Sequence, residues 1–318
     1  MENRDRRQVV LGVDFGATNL KALLLDKDGQ VYQRFIERSE PERGPEATLQ
    51  RIVDLVKRAR KESDSADLEL TGVGIGACGP VNHAKGEIVE SPVLPGWKNV
   101  PVRDIIKETI ELPVHLDNDA NLAVLGEWWK GAGEQCAVVA GLTLGTGIGG
   151  GLVINGRVYR GGWGFGAEFG HISVAQEPSC PCGGRGCLGR VASATDTLLR
   201  YQELTGAKAA PIDGILELAK LAEKGDEAAR EAIRVSADYL AKATLILINC
   251  LNPHVFILAG GMALLGDVLL RPIREFIRSS TFSMVGENTR ITAARLGMYS
   301  GCYGSAWLAL SETQALPE

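Results

Sequence analysis

One short pattern of residues occurs twice in this chain. Residues 12–32 read GVDFGATNLKALLLDKDGQVY, and residues 141–159 read GLTLGTGIGGGLVINGRVY. Each copy reads as a buried strand, a glycine-containing turn, a second apolar strand, a tight turn and a third strand. The matching pairs are Gly12 and Gly141, Gly16 and Gly145, Leu23 and Leu152, Gly29 and Gly156, Val31 and Val158, and Tyr32 and Tyr159. The repetition favours two similar lobes over two unrelated hairpins.

Helical and strand patterns alternate in the rest of the chain, which indicates an α/β fold. The strands are predicted at 71–78, 113–117 and 255–261. The helices are predicted at 45–63, 102–110, 120–130, 193–204, 213–223, 226–251, 267–279 and 303–313.

Composition excludes several classes of function. The 318 residues suffice for two domains, and 34 basic against 39 acidic residues leave a net charge of −5. That balance argues against nucleic-acid binding, which needs clustered positive charge. The uncharged stretches 136–156 and 243–266 are broken by glycine and polar residues, so we expect no membrane span. With no secretory signal we expect a cytoplasmic protein whose clustered cysteines bind metal.

Three glycine-containing loops are candidate binding sites for the phosphates of ATP, because their backbone N–H groups can approach an anion closely. They are DFGAT (14–18), LGTGIGGG (144–151) and AGG (259–261). Each loop alone is also an ordinary turn, but two matching copies and a third loop favour a nucleotide. The residues assigned to ATP and Mg²⁺ are Asp14, Gly16, Thr18, Gly145, Thr146, Gly147, Gly260 and Gly261.

A run of polar residues stands where a strand passes into a helix, in LDNDANLAVLGEWW (116–129). Asp119 lies at or beside the N-terminus of that helix, where the helix dipole favours an ionised carboxylate. An N-cap role explains one such residue, but not the whole run. We therefore interpret Asp119 as the general base that accepts a proton from the hydroxyl attacking ATP.

Four metal-ligating residues fall within GHISVAQEPSCPCGGRGC (170–187). His171, Cys180, Cys182 and Cys187 supply the ligands of a closed tetrahedral Zn²⁺ site, which is structural because no position remains for water. Three free thiols in a loop are the plainer alternative. Glu168 lies three residues before His171, and both are predicted to contact the hydroxyls of a sugar.

These segments together resemble the ROK family of bacterial sugar kinases and repressors, over about residues 8 to 313. The resemblance rests on DFGATN, DNDAN, GTGIGGG, GAEFGH and CPCGGRGC. It implies two actin-like (ribonuclease H-like) lobes with a cleft between them, Mg-ATP, structural zinc, and a homodimer or homotetramer. The first lobe would span 1–118 with a last helix at 300–318, and the second 119–299. Asp119 falls on the family's catalytic acid, and Asn118, Glu168, His171 and Gly79 on the sugar side.

Three positions depart from the family pattern, all on the sugar side. Gly189 stands where a sugar-binding Glu is usual, Cys78 replaces the first Pro of Pro-Gly-Pro, and Val93 replaces an Asn. The sequence therefore indicates the type of reaction, phosphoryl transfer, more firmly than it indicates which sugar is the substrate.

We predict ATP-dependent phosphorylation of a hexose, glucose-like and at O6. The alternatives are an N-acetylhexosamine or fructose kinase, and a sugar-binding sensor with weak or lost kinase activity. The resemblance implies that the family's repressors carry an N-terminal helix-turn-helix, and because the first strand is predicted near Val9 we expect none before it here.

Overall fold

The computed structural model describes residues 6–91, 94, 96–134, 136–206 and 214–313. Val93 and residues 314–318 of the predicted last helix lie outside the described residues. The strands are β1 (Arg7–Phe15), β2 (Asn19–Leu25), β3 (Val31–Arg38), β4 (Leu68–Ala77), β5 (Val81–Asn82), β6 (Glu87–Glu90), β7 (Lys98–Val100), β8 (Val114–Asn118), β9 (Val138–Leu144), β10 (Ile148–Ile154), β11 (Arg157–Val158), β12 (Val255–Ala259) and β13 (Arg290–Ala293). The helices are α1 (Pro45–Ser65), α2 (Val102–Ile110), α3 (Asp119–Lys130), α4 (Ala194–Thr205), α5 (Ile215–Glu223), α6 (Glu227–Leu251), α7 (Asp267–Ser280), α8 (Ser283–Gly286) and α9 (Ser300–Thr313).

The chain forms two compact units. The first comprises Met1–Glu134, Gly156–Gly166 and Met298–Glu318, and the second Gln135–Asn155 and Ala167–Gly297. This division differs from the boundary predicted after Asn118, because α3 belongs to the first unit, where it packs against α9. The last helix, α9, also belongs to the first unit.

The sheet of the first unit has the strand order β3-β2-β1-β4-β8. β1, β2 and β3 form an antiparallel meander, and β4 and β8 run parallel to β1. Side chains of β1 alternate between two cores, as the period of a strand requires. Leu11 and Val13 join a cluster with α1 and α2, while Val10 joins a cluster with α9. The sheet is thus buried on both faces.

The second unit repeats this topology. β9 and β10 form an antiparallel hairpin, and β12 and β13 continue the sheet parallel to β9. The loops of the two hairpins, residues 16–18 and 145–147, have the same length. The predicted repetition is confirmed in this topology, although the third strand of the second copy, β11, has only two residues. The small sheet β5-β6-β7 and the strand β13 were not predicted, because strands of two to four residues leave no readable alternation.

Glycines allow the backbone of α9 to lie directly against its neighbours in the first unit. A Cβ atom on Gly12 of β1 would lie 2.0 Å from the Cys302 carbonyl oxygen, and one on Gly74 of β4 would lie 1.8 Å from that of Ser305. On α9 itself, a Cβ on Gly304 would lie 1.7 Å from the Leu122 oxygen of α3. No side chain larger than hydrogen fits at these positions.

Across the described residues, none of the helices has both the length and the apolar character that a membrane crossing requires.

The packing of α9 on α3 can be tested with Gly304→Ala. The added methyl meets backbone atoms that cannot rotate away, so we expect a loss of about 3 kcal/mol in the free energy of unfolding, at the upper end of overpacking costs. Urea denaturation measures the loss. Gly162→Ala is the matched control, because nothing lies within 4 Å of a Cβ there. Equal stability of the two variants would contradict the close packing.

Candidate functional site

The first loop, residues 16–18, is closed by a hydrogen bond from the Gly16 N–H to the Asn19 carbonyl at 3.1 Å. Thr18 at its end is exposed. Asp14 and Lys21 flank the loop as register partners on β1 and β2. Their side chains form an ion pair of 2.5 Å and are only 13% and 17% exposed. A carboxylate and an ammonium group are therefore held beside the loop.

Lys21 is a further candidate site residue, which the sequence analysis did not identify. Burial acts to lower its pKa, but the charge and hydrogen bond of Asp14 outweigh burial and raise the pKa of Lys21 above its ordinary value. Its ammonium group also donates to the Met298 carbonyl at 3.0 Å. The available signal was a single Lys inside the apolar strand NLKALLL. A charged residue in such a strand needs a partner, because unpaired burial is costly.

Asp14 also lies beside the N-terminus of α9. A Cβ atom on Gly301, the second residue of that helix, would be 3.0 Å from the Asp14 Cγ. The positive end of the helix dipole and the Lys21 ammonium group therefore both lie beside the Asp14 carboxylate.

The N-cap of α3 is Asn118, not Asp119. The Asn118 Oδ1 accepts hydrogen bonds from the N–H groups of Ala120 at 2.9 Å and Asn121 at 3.1 Å. Its Nδ2 donates to the Gly79 carbonyl at 3.1 Å, and Gly79 has φ 100, a left-handed conformation suited to glycine. The structure therefore brings Gly79, Asn118 and Asp119 together and leaves Asp119 without the capping role.

The pKa of the Asp119 carboxyl group lies close to neutral pH. Burial and the negative charge of Asp14 raise the pKa of Asp119 to about 7, against the N–H of Ala120 and the charge of Lys21, which lower it. A carboxylate with such a pKa can take up a proton near pH 7, as a general base requires.

In the second unit, the loop 145–147 is closed by a hydrogen bond from the Gly145 N–H to the Gly147 carbonyl at 2.9 Å. Thr146 and Gly147 are exposed, and nothing lies within 4 Å of a Cβ on Gly147. Gly260 follows β12 with φ 86, and a Cβ there would lie 2.5 Å from the Leu144 oxygen. Gly260 and Gly261 therefore lie beside the loop that begins after Leu144.

A tight turn carries Glu168 and His171. Residues Phe169–His171 form one turn of 3-10 helix, and the His171 N–H donates to the Glu168 carbonyl at 3.0 Å. Ala167 takes φ 65 to start the turn. The local geometry agrees with the tight turn expected from the spacing of Glu168 and His171.

His171, Cys180, Cys182 and Cys187 form a cluster in the second unit. One potential ligand atom from each lies within 4.8 Å of the others. The Cys180 Sγ is 3.6 Å from the His171 Nδ1, and the Cys182 Sγ is 3.6 Å from the Cys187 Sγ. Ligands about 2.0–2.3 Å from a tetrahedral Zn²⁺ have such separations. The Gly184 N–H, and then the neighbouring thiols, lower the pKa of Cys182 to about 7, which favours the thiolate form that binds metal.

Two of the departures from the family pattern lie among described residues. A Cβ on Gly189 would lie 3.3 Å from the Gly170 carbonyl oxygen and 3.6 Å from the Ile148 N, next to the turn that carries His171. Cys78 is buried just after β4, and burial raises the pKa of its thiol.

The candidate site residues fall into two groups, one in each unit. The first unit holds Asp14, Gly16, Thr18, Gly79, Asn118 and Asp119. The second unit holds Gly145, Thr146, Gly147, Glu168, His171, Gly260, Gly261 and the three cysteines of the cluster.

Comparison with known proteins gives consistent results. A glucokinase from Halalkalibacterium halodurans is 33% identical over 318 residues, covering 96% of this chain and 96% of that protein. A xylose repressor from Caldicellulosiruptor bescii is 27% identical, covering 97% of this chain and 80% of the repressor. The crystal structure of a ROK family glucokinase from Streptomyces griseus in complex with glucose and AMPPNP matches with a TM-score of 0.82 and 30% identity, covering 95% of this chain and 99% of that one.

The actin-like α/β fold expected from the sequence is confirmed by this structural match. The model of the ROK family matches residues 10–312, nearly the whole described chain. The chain belongs to the ROK family.

Proposed function

We propose that this protein transfers the γ-phosphoryl group of ATP to the O6 hydroxyl of a glucose-like hexose, with Asp119 as the general base. The kinase class rests on a glucokinase relative and a glucokinase structure that each align with nearly the whole chain. The chain is an ATP-dependent sugar kinase. The observation that carries the finer proposal is a carboxylate with a pKa of about 7, placed one residue after a helix N-cap.

The phosphates of ATP are assigned to the glycine loops. The two hairpin loops have equal lengths, each is closed by a hydrogen bond from the N–H of its first glycine, and Thr146 and Gly147 are exposed. Gly16, Thr18, Gly145, Thr146 and Gly147 would offer N–H and hydroxyl groups to the phosphates. Gly260 and Gly261 would pass beside the adenosine, since their lack of side chains leaves the loop end open.

Asp14 is assigned to Mg²⁺. Its carboxylate is the oxygen donor that this cation prefers, and it lies beside the first loop, where it would hold the ion through water. Mg²⁺ supplies positive charge that neutralises the phosphates during transfer. Lys21 holds the Asp14 carboxylate in place.

Asp119 would accept the proton of the attacking hydroxyl. The Asn118 Nδ2 orders this segment through Gly79, and its second N–H remains to donate to a sugar oxygen. Glu168 would accept from other sugar hydroxyls.

We also propose that the cluster of His171 and the three cysteines binds one structural Zn²⁺. The separations of the four donors fit a tetrahedral site. The His171 Nδ1 faces the cysteines, so its Nε2 is left to bond a sugar hydroxyl. Zinc would then fix the orientation of a sugar-contacting side chain without taking part in the chemistry.

The role of Asp119 predicts both a variant and a pH profile. Asp119→Asn is expected to lower kcat about 10³-fold, the range of general-base contributions, with unchanged ATP affinity. In the wild-type protein, kcat/KM for the sugar is expected to rise as the pH increases through about 7, because only the ionised form of Asp119 accepts a proton. Coupled assays of ADP release from pH 5 to 9 measure both.

Asp104→Asn is the matched control for Asp119→Asn, because Asp104 lies in the first turn of α2 as Asp119 does in α3. It should retain full activity. A fully active Asp119→Asn variant would contradict the assignment.

The sugar is tested with a panel of glucose, mannose, fructose and N-acetylhexosamines in the same assay. We expect the highest kcat/KM with glucose, and phosphorus NMR of the product should place the phosphate on O6. If only another sugar of the panel were phosphorylated, that sugar would be the substrate instead of glucose. Sugar binding without turnover would instead indicate a sensor.

The zinc site is tested with Cys182→Ser. Wild-type protein should contain one zinc ion per chain by elemental analysis, and the variant should contain much less and melt at a lower temperature, because metal binding contributes to folding. Cys250→Ser is the control, since Cys250 is an exposed thiol of α6 outside the cluster. Zinc-free wild-type protein would rule the site out.

A further inference from the structure

A network of charged side chains surrounds Asp117, two residues before Asp119. The Arg160 Nε donates to the Asp117 Oδ2 at 2.7 Å, and the Asp117 side chain is only 4% exposed. An Arg160 terminal nitrogen also lies 3.5 Å from the Glu312 Oε1 near the end of α9. Arg160 thus joins the end of β8 to the end of α9.

Asp117 also forms hydrogen bonds with residues at the start of α3. Its Oδ1 accepts from the Asn118 N–H at 2.7 Å and from the Asn121 Nδ2 at 3.3 Å. Asn118 in turn caps α3. The position of the Asp119 backbone is therefore fixed from both sides through the carboxylate that Arg160 holds.

Glu312 joins two histidines to this network. Its Oε2 lies 2.9 Å from the His115 Nδ1, and its Oε1 lies 3.1 Å from the His83 Nε2. The His83 Nδ1 is 2.8 Å from the Leu116 carbonyl oxygen. Both ring nitrogens of His83 therefore face acceptors, and only the imidazolium has two N–H groups to donate. The His115 Nε2 lies 3.3 Å from the Thr313 Oγ1, a hydroxyl that can donate or accept a hydrogen bond.

The charges of the network balance when His83 is protonated. Asp117 and Glu312 are negative, and Arg160 and His83 are positive. Buried charges persist only when paired in this way. Without Arg160, the Asp117 carboxylate would lose its cation, and the residues that it holds would rearrange.

We propose that Arg160, together with protonated His83, is a positioning residue that fixes the Asp117–Asn118–Asp119 segment for catalysis. The proposal rests on the proposed role of Asp119. Neither side chain contacts the reacting atoms; they act through Asp117, Leu116 and Glu312. A displacement of about 1 Å at a catalytic group lowers the rate by up to about 10²-fold. The reaction therefore requires that the Asp117–Asn118–Asp119 segment be placed precisely.

The first test is Arg160→Gln, which we expect to lower kcat about 10- to 100-fold with the KM for ATP changed less than about twofold. Arg58→Gln is the matched control, because Arg58 pairs with Glu37 at 3.4 Å in the same unit. Asp117→Asn should lower kcat similarly, and the double variant should be no worse than either single one, because both remove one interaction. Additive losses, or a fully active Arg160→Gln variant, would overturn the proposal. If Arg160→Gln fails to fold, Arg160→Lys takes its place. Lysine keeps the positive charge but cannot contact Asp117 and Glu312 at once with the geometry of a guanidinium group.

The pH profile distinguishes positioning from general stabilisation. The groups facing His83 are Asp117 and the Leu116 carbonyl on β8, Glu312 on α9, and Arg160. Burial acts to lower the pKa of His83 and Arg160 adds to this, but Glu312 and Asp117 outweigh them and raise it. The imidazolium is thus present below the raised pKa and lost above it. The wild-type kcat should fall at alkaline pH, whereas that of His83→Gln should be lower and lack this alkaline fall. An unchanged alkaline limb in His83→Gln would exclude the role of His83.

A readout without catalysis separates this proposal from the proposed function. Amide hydrogen exchange of Ala120 and Asn121, whose N–H groups Asn118 caps, should speed up at least tenfold in Arg160→Gln and stay unchanged in Arg58→Gln. Unchanged exchange would refute the positioning network even if the kinase assay succeeded. Faster exchange in a protein without kinase turnover would leave the network intact and refute the proposed function alone.

Discussion

The close approach of α9 to β1 and β4 is the constraint on which the first unit depends. It exists because Gly12 and Gly74 leave room for the backbone of α9 to lie against the backbone of these strands. The helix has 14 residues, so it spans about 21 Å. Its N-terminus reaches Asp14, and its last turn carries Glu312. One rigid element therefore sets the position of the first loop and of the segment before Asp119.

The two copies of the hairpin share their shape but differ in chemistry. Lys21 and Asp14 of the first copy correspond by sequence position to Gly150 and Thr143 of the second. In the first copy this pair places opposite charges beside the loop. In the second, a Cβ on Gly150 would lie 2.6 Å from the Ala167 carbonyl oxygen. The missing side chain therefore makes room for the turn that carries Glu168 and His171. The repeated pattern could be predicted, but this division of roles could not.

Sequence reasoning located what is encoded locally. Hydrophobic period and glycine spacing gave α2 its observed bounds and put Asp119 within one residue of a helix start. It could not assign the capping role between Asn118 and Asp119, because both residue types suit an N-cap. It also missed interactions between distant residues: Arg160 lies 43 positions from Asp117, and Glu312 lies 197 from His115. The unit boundary failed for the same reason, since α3 is held by a helix from the far end of the chain.

The distribution of charge explains why Asp119, among the acids of this region, is suited to accept a proton. Asp14 has Lys21 at 2.5 Å, and Asp117 has Arg160 at 2.7 Å. Asp119 forms no ion pair with any described residue, and the nearby charge of Asp14 acts against its ionisation. Burial and a nearby negative charge both raise the pKa of a carboxyl group that has no cation of its own. Lys21 and Arg160 are therefore engaged in ion pairs with Asp14 and Asp117, and the Asp119 carboxylate is left without a paired cation among the described residues.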